Sequence, residues 1–172
     1  MINNITYLQL RSARQALNLG IREIAKLLRV SKATVNKAEL GKTRDFFFKH
    51  SAALTEFFKN NSITFPSEYM VRFHPEEVIS GSSVHNKVIL TRFQLKGARH
   101  IAQLSQSELA QIIGIDKGVI SRAESISNEK PINLADESIT LKIKNVFLEY
   151  YIEFHDPLSI FFKKYIDNEL DR

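Results

Sequence analysis

"REIAKLLRVSKATVNKAE" (residues 22–39) returns 85 residues later as "SELAQIIGIDKGVISRAE" (residues 107–124). Extended outward, residues 8–39 align with 93–124 without a gap, and ten of the 32 positions are identical. These are Gln9/Gln94, Leu10/Leu95, Ala13/Ala98, Arg14/Arg99, Leu19/Leu104, Glu23/Glu108, Ala25/Ala110, Lys32/Lys117, Ala38/Ala123 and Glu39/Glu124. Eight of the other 22 positions exchange one apolar residue for another. A long internal repeat implies two similar structural units. Between them, "SGSSVHNK" (80–87) is the only strongly polar, small-residue run and reads as a linker. The expected organisation is therefore a domain at 1–79, a linker at 80–87 and a second domain at 88–172.

Each copy reads as three short helices. "YLQLRSARQALNL" and "RFQLKGARHIAQL" carry apolar residues at helical spacing. Helix two is expected over Ile21 to Leu28 and over Gln106 to Ile113. Ser105 with Glu108 forms a capping-box signature, whereas Gly20 supplies no side-chain cap. Gly114 is suited to end the helix, and Arg29 in its place must take a left-handed conformation or a different turn. Ser31 and Asp116 are placed to cap helix three. Val35 and Ala38, or Ile120 and Ala123, give that helix its apolar face. Lys32, Ala33, Asn36 and Lys37 fall on the other face, and so do Lys117, Gly118, Ser121 and Arg122. Small, amide, hydroxyl and cationic residues at the start of a short helix suit the base edges of a DNA major groove.

Each copy resembles the helix-turn-helix of lambda-repressor-like (Xre/Cro/C1-type) DNA-binding proteins. "LSQSELAQIIGIDKGVISRAE" carries the pattern nearly throughout; "LGIREIAKLLRVSKATVNKAELGKT" departs from it at Gly20, Ile21 and Arg29. The resemblance implies a mainly α fold of two tandem helix-turn-helix domains. It puts the base-reading positions at Lys32, Ala33, Asn36 and Lys37, and at Lys117, Gly118, Ser121 and Arg122. Ser31 joins them at the cap. Gln106 falls where the family touches phosphate; Ile21 occupies that position in the first copy, and Arg22 is the candidate to take over. Arg14 with Glu39, and Arg99 with Glu124, fall where some members bury an ion pair.

Composition bears on the partner. The chain of 172 residues has a formal charge of +5, and no cysteine. Disulfide frameworks, thiolate metal sites and thiol chemistry are thereby excluded. Residues 1–86 carry 12 Lys and Arg against 7 Asp and Glu, and residues 87–172 carry 12 against 12. The positive field belongs to the first half and favours an anionic partner there. The five histidines show no ligand spacing, so no metal or cofactor is expected. Glu76-Glu77 reads as a solvated turn. No phosphate loop or nucleophile arrangement appears, which argues against an enzyme. No stretch has the length of a membrane span, and no signal-peptide core opens the chain. The expectation is a soluble, cytoplasmic, nucleoid-associated protein of prokaryotic or phage type, with no membrane partner.

The flanks read differently. "DFFFKHSAALTEFFKNN" predicts a helix, and "SITFPSEYMVRF" a β-hairpin turning near Pro66 to Glu68. After the second copy comes a longer loop, "SISNEKPINLA", then a helix over Asp136 to Phe154. Asp156-Pro157 breaks it, and "LSIFFKKYIDNEL" reads as a final helix, with no second hairpin. Phe46 to Phe48, Phe57-Phe58 and Phe161-Phe162 are expected in the core. The C-terminal aromatics offer, as an equal alternative, a homodimer interface through those last helices.

Taken together, the sequence predicts a sequence-specific, double-stranded-DNA-binding transcriptional regulator, in the first place a repressor that blocks polymerase. Its two units would read two half-sites about one helical turn, or roughly 34–36 Å, apart. The alternative is an antitoxin-like or adaptor protein, in which one domain binds DNA and the second binds a protein partner or mediates dimerisation.

Overall fold

The computed structural model describes residues 4–75, 89–134 and 136–163. The chain is mainly α-helical, with one small antiparallel sheet. The first half runs α1 (Tyr7–Ala16), α2 (Ile21–Leu28), α3 (Lys32–Glu39), α4 (Arg44–Lys59), β1 (Ile63–Thr64) and β2 (Met70–Phe73). The second runs α5 (Arg92–Ile101), α6 (Gln106–Ile113), α7 (Lys117–Ala123), α8 (Glu137–Glu149), β3 (Ile152–Glu153) and β4 (Ser159–Phe162). The linker at 80–87 and Glu76-Glu77 lie outside the described residues.

The local rules hold in both copies. Thr6 and Thr91 form capping boxes with Gln9 and Gln94, so the first helix of each half starts at an equivalent residue. Ser105 and Glu108 cap α6 in the same way, whereas Gly20 gives α2 no side-chain bond. Arg29 takes the left-handed conformation (φ 53°) that Gly114 (φ 74°) takes after α6. An arginine bears that at a cost of roughly 1–2 kcal/mol; a glycine does not.

The expected final helix is not found over its described residues, and residues 164–170 of it lie outside them. Ser159–Phe162 is a strand, and α8 ends at Glu149 rather than Phe154. Asp156-Pro157 sits in the turn of a second hairpin, where Asp156 Oδ1 accepts from the Leu158 N–H at 2.8 Å. This hairpin repeats the first. Ile152 pairs with Phe162 as Ile63 pairs with Phe73. The offset has grown from 85 to 89 residues, because the loop after α7 is longer.

The two hairpins join into one sheet, in the order β1-β2-β4-β3. The central pair is antiparallel, with Val71 opposite Ile160. Exchanging the halves leaves the order unchanged, which makes the chain an internal pseudo-dimer. Phe147 and Phe162 are buried, Phe162 within this sheet, Tyr150, Phe154 and Phe161 are half-buried, and Tyr151 is 43% exposed. Ile160 is also fully buried and packs at Gly97 of α5. Ser159–Phe162 are a strand of the chain's own sheet and so are not part of a helical interface. The Phe46 to Phe48 cluster divides: Phe46 is buried and Phe48 is 81% exposed.

Three features lock the halves. α1 packs along α5, where a Cβ on Gly97 would lie 2.5 Å from Ile160 Cδ1 and 2.7 Å from Ser12 Oγ. Phe73 of β2 stacks on Phe93 of α5 with ring centroids 5.6 Å apart. Arg92, fully buried, donates through Nε to the Glu124 carbonyl at 3.2 Å and reaches Ala16 O, Asn18 and Asn128 with its other nitrogens. Buried apolar residues of both halves form a single core, from Leu10, Ile24 and Leu54 through to Leu95, Leu109 and Ile143. Burying each large side chain of this kind stabilises the fold by about 1.5–3 kcal/mol.

Candidate nucleic-acid interface

α2 and α3 are joined by a turn of three residues, Arg29 to Ser31, and α6 and α7 by Gly114 to Asp116. Ser31 Oγ accepts from the Thr34 N–H at 3.0 Å, and Asp116 Oδ1 from the Gly118 N–H at 2.7 Å. Val35 and Ala38 are fully buried beneath α3, and Ile120 beneath α7. That packing turns the opposite faces outward.

Lys32, Ala33, Asn36 and Lys37 are all exposed on α3, and Ser31 is exposed at its cap. Lys117, Ser121 and Arg122 are exposed on α7, and Gly118 is half-buried. A Cβ on Gly118 would come within 3.2 Å of Arg122 Nη1, so this guanidinium lies back towards the start of its helix. Arg22 is exposed on α2. Gln106 is different: it is half-buried, and its Nε2 donates to Glu124 Oε2 at 2.9 Å. The amide expected to meet phosphate is thus engaged within the chain.

The two expected ion pairs form, and they hold the outward faces at a fixed angle to α1 and α5. Arg14 meets Glu39 through Nε and Nη2, the latter 2.6 Å from Oε2. Arg99 meets Glu124 in the same two-pronged way, at 2.6 and 2.8 Å. All four side chains are at least nine-tenths buried. The third nitrogen of each arginine donates to a backbone carbonyl, Leu19 O at 2.7 Å and Leu104 O at 2.6 Å. Such pairs specify geometry because removing one partner strands a buried charge.

The arginine of each pair also meets the side chain next to it in sequence. His100 Nε2 lies 3.0 Å from Arg99 Nη2, whose N–H it accepts. Its counterpart Gln15, with its amide oxygen turned to Arg14, accepts from Nη2 at 3.3 Å. Burial, then the charges of Arg99, Lys96, Arg14 and Arg11, push the His100 pKa down to about 3. The ring is therefore neutral near pH 7.

Sequence reasoning noted the identity of Gln9 and Gln94 but gave them no role. Both side chains are buried and bond to the hairpin turns: Gln9 Nε2 to Ser67 O and Met70 O, Gln94 Nε2 to Asp156 O and Ser159 O. The shared residue was the available signal for a second hairpin. Among the described residues no group of acids and histidines is arranged to hold a metal, and no helix is long and apolar enough to cross a membrane.

No known family model matches this chain, and neither a curated protein nor a solved structure matches it significantly.

Proposed function

We propose that this protein is a sequence-specific double-stranded-DNA-binding regulator that reads DNA through two helix-turn-helix units, α2–α3 and α6–α7. The observation that carries the reading is the outward face of α3. Four exposed residues capable of base or phosphate contact stand on a short capped helix whose opposite face is fully buried. In this reading Asn36 reads a base edge, Lys32 and Lys37 contact phosphate or guanine, and Arg22 anchors the backbone. On α7, Lys117, Ser121 and Arg122 take the corresponding places. Phosphate contacts set register and base contacts set sequence.

The shared core supports a built-in dimer: one chain presents two different reading faces, so its site would have two unlike parts. Repression would follow from occupancy of a promoter. The adaptor alternative draws on the second half, where Gln106 is engaged internally and the charge balance is neutral.

The test is binding of the full chain to duplex DNA, followed by fluorescence anisotropy over a range of salt. The expected stoichiometry is one chain per two-part site, with affinity falling steeply as salt rises. Lys37→Ala should weaken binding to all sequences, and Asn36→Ala should relax specificity, each by roughly 1–3 kcal/mol. No duplex binding at low salt, or unchanged binding in both variants, would defeat the reading.

A further inference from the structure

The turn that joins α2 to α3 differs from its counterpart in two ways. Arg29 holds the left-handed conformation (φ 53°) that Gly114 holds in the second unit, and a residue with a Cβ bears strain there that glycine does not. The charge differs too. Lys26, Arg29 and Lys32 stand around the first turn, and no Asp or Glu occurs between Glu23 and Glu39. The equivalent residues of the second unit are Gln111, Gly114 and Lys117, and its cap is the acid Asp116 where the first unit has Ser31.

Lys26, Arg29 and Lys32 are all exposed, and none forms an ion pair among the described residues. The backbone N–H of Arg29 bonds to Lys26 O at 3.3 Å, as that of Gly114 bonds to Gln111 O at 3.3 Å. The bond that ends the helix therefore asks for no arginine. A strained residue that its fold does not require points to a use for its side chain. That side chain is an exposed guanidinium, the group whose planar fork matches a phosphate.

Ser31 and Lys32, which the DNA reading puts against the duplex, follow two and three residues later. Two residues of chain span at most about 7 Å, so Arg29 stands beside the same stretch of DNA backbone. We propose, resting on that reading, that Arg29 is a further phosphate contact, peculiar to the first unit, with Lys26 and Lys32 adding to the field around it. Its ligand is the phosphodiester of duplex DNA, held without regard to sequence. The second unit has a glycine and an acidic cap in its turn and lacks the contact. The first unit therefore grips the duplex more tightly than the second.

The test is binding of the full chain to a mixed-sequence duplex over a range of salt, followed by thermal unfolding of the same samples. Arg29→Gly should weaken binding about three- to tenfold at low salt. It should also make the slope of log Kd against log salt shallower by about 1, the share of one phosphate. The variant should melt about 2 °C above the parent, because relief of strain outweighs the freedom glycine gains in the unfolded chain. An arginine that merely held the turn would do the reverse, with a lower melting point and the same slope. Arg29→Asn, another residue that tolerates this conformation, should repeat the loss of slope, and Arg29→Lys, which keeps the charge, should keep the slope. An unchanged slope in Arg29→Gly and Arg29→Asn, or an equal loss in Arg29→Lys, would overturn the proposal, while binding by the parent would leave the DNA reading standing. A parent that binds no duplex would defeat the reading and the proposal together.

Discussion

In the first half, seven cations stand against two acids over residues 8–39, α2 starts at an uncapped Gly20, and Arg29 bears a left-handed turn. Over the equivalent residues 93–124 the second half has four cations against three acids, a capping box at Ser105, a glycine in the turn and Gln106 bonded to the buried ion pair. Both halves build the same helices and the same hairpin. At the start of the second helix the polar groups of the second half, Ser105, Gln106 and Glu108, bond within the chain, while the first half has Gly20, Ile21 and an exposed Arg22 there. Local stability and surface charge have been divided between two copies of one unit that share a core.

Four changes would break or sharpen that comparison. The largest effect is expected where the copies agree. Arg14→Leu and Arg99→Leu each strand a buried glutamate and should cost about 3–5 kcal/mol, read from the midpoint of urea unfolding. A loss below about 1 kcal/mol in either would mean the pair does not hold its helices.

The next effect separates the copies by pH. His100 is harder to protonate in the folded chain than in the unfolded one, so the unfolded state binds the extra proton first. Stability should therefore be fully present above about pH 6.5 and fall towards pH 3, at a slope approaching roughly 1.4 kcal/mol per pH unit from this residue. The groups that set the shift are Arg99, Lys96, Arg14 and Arg11 together with burial. His100→Gln installs the residue of the first half and should flatten this part of the curve; unfolding measured across that range checks it.

Gly97→Ala tests the seam. A methyl group there meets Ile160 and Ser12, and overpacking of this kind should cost about 1–3 kcal/mol. The reverse change at the equivalent position, Ser12→Gly, makes no such clash and should cost less. The smallest effect is a transplant: Gly20→Ser gives α2 the cap that α6 has, and should raise stability by a few tenths of a kcal/mol, about 0.3.

The helices were legible because period, caps and turn residues agree within each copy. The ranges of α2 and α6 follow from the apolar spacing and from Gly20, Ser105, Arg29 and Gly114. The buried pairs were legible through the repeat itself. The second hairpin was hidden for physical reasons. Strands of two to four residues are too short to show an alternating pattern, and the aromatic run continues the apolar face of α8. Asp156-Pro157 serves a hairpin turn as well as a helix break. The spacing of Phe58, Ile63, Phe65 and Phe73 does recur at Phe147, Ile152, Phe154 and Phe162 once the offset becomes 89. The seam was not legible: Tyr7 occupies the position of Arg92 in the first copy, and nothing local tells that Arg92 reaches across to Ala16 and Asn18.

The central claim is that one chain reads two unlike half-sites. The most direct measurement selects bound duplexes from a random pool at near-physiological salt, using the full chain, an Asn36→Ala/Lys37→Ala variant and a Ser121→Ala/Arg122→Ala variant. The halves share a core, so the intact chain is needed. The account predicts a two-part site for the parent, with one part relaxed in the first variant and the other in the second. No enriched site, or an unchanged site in both variants, would contradict it.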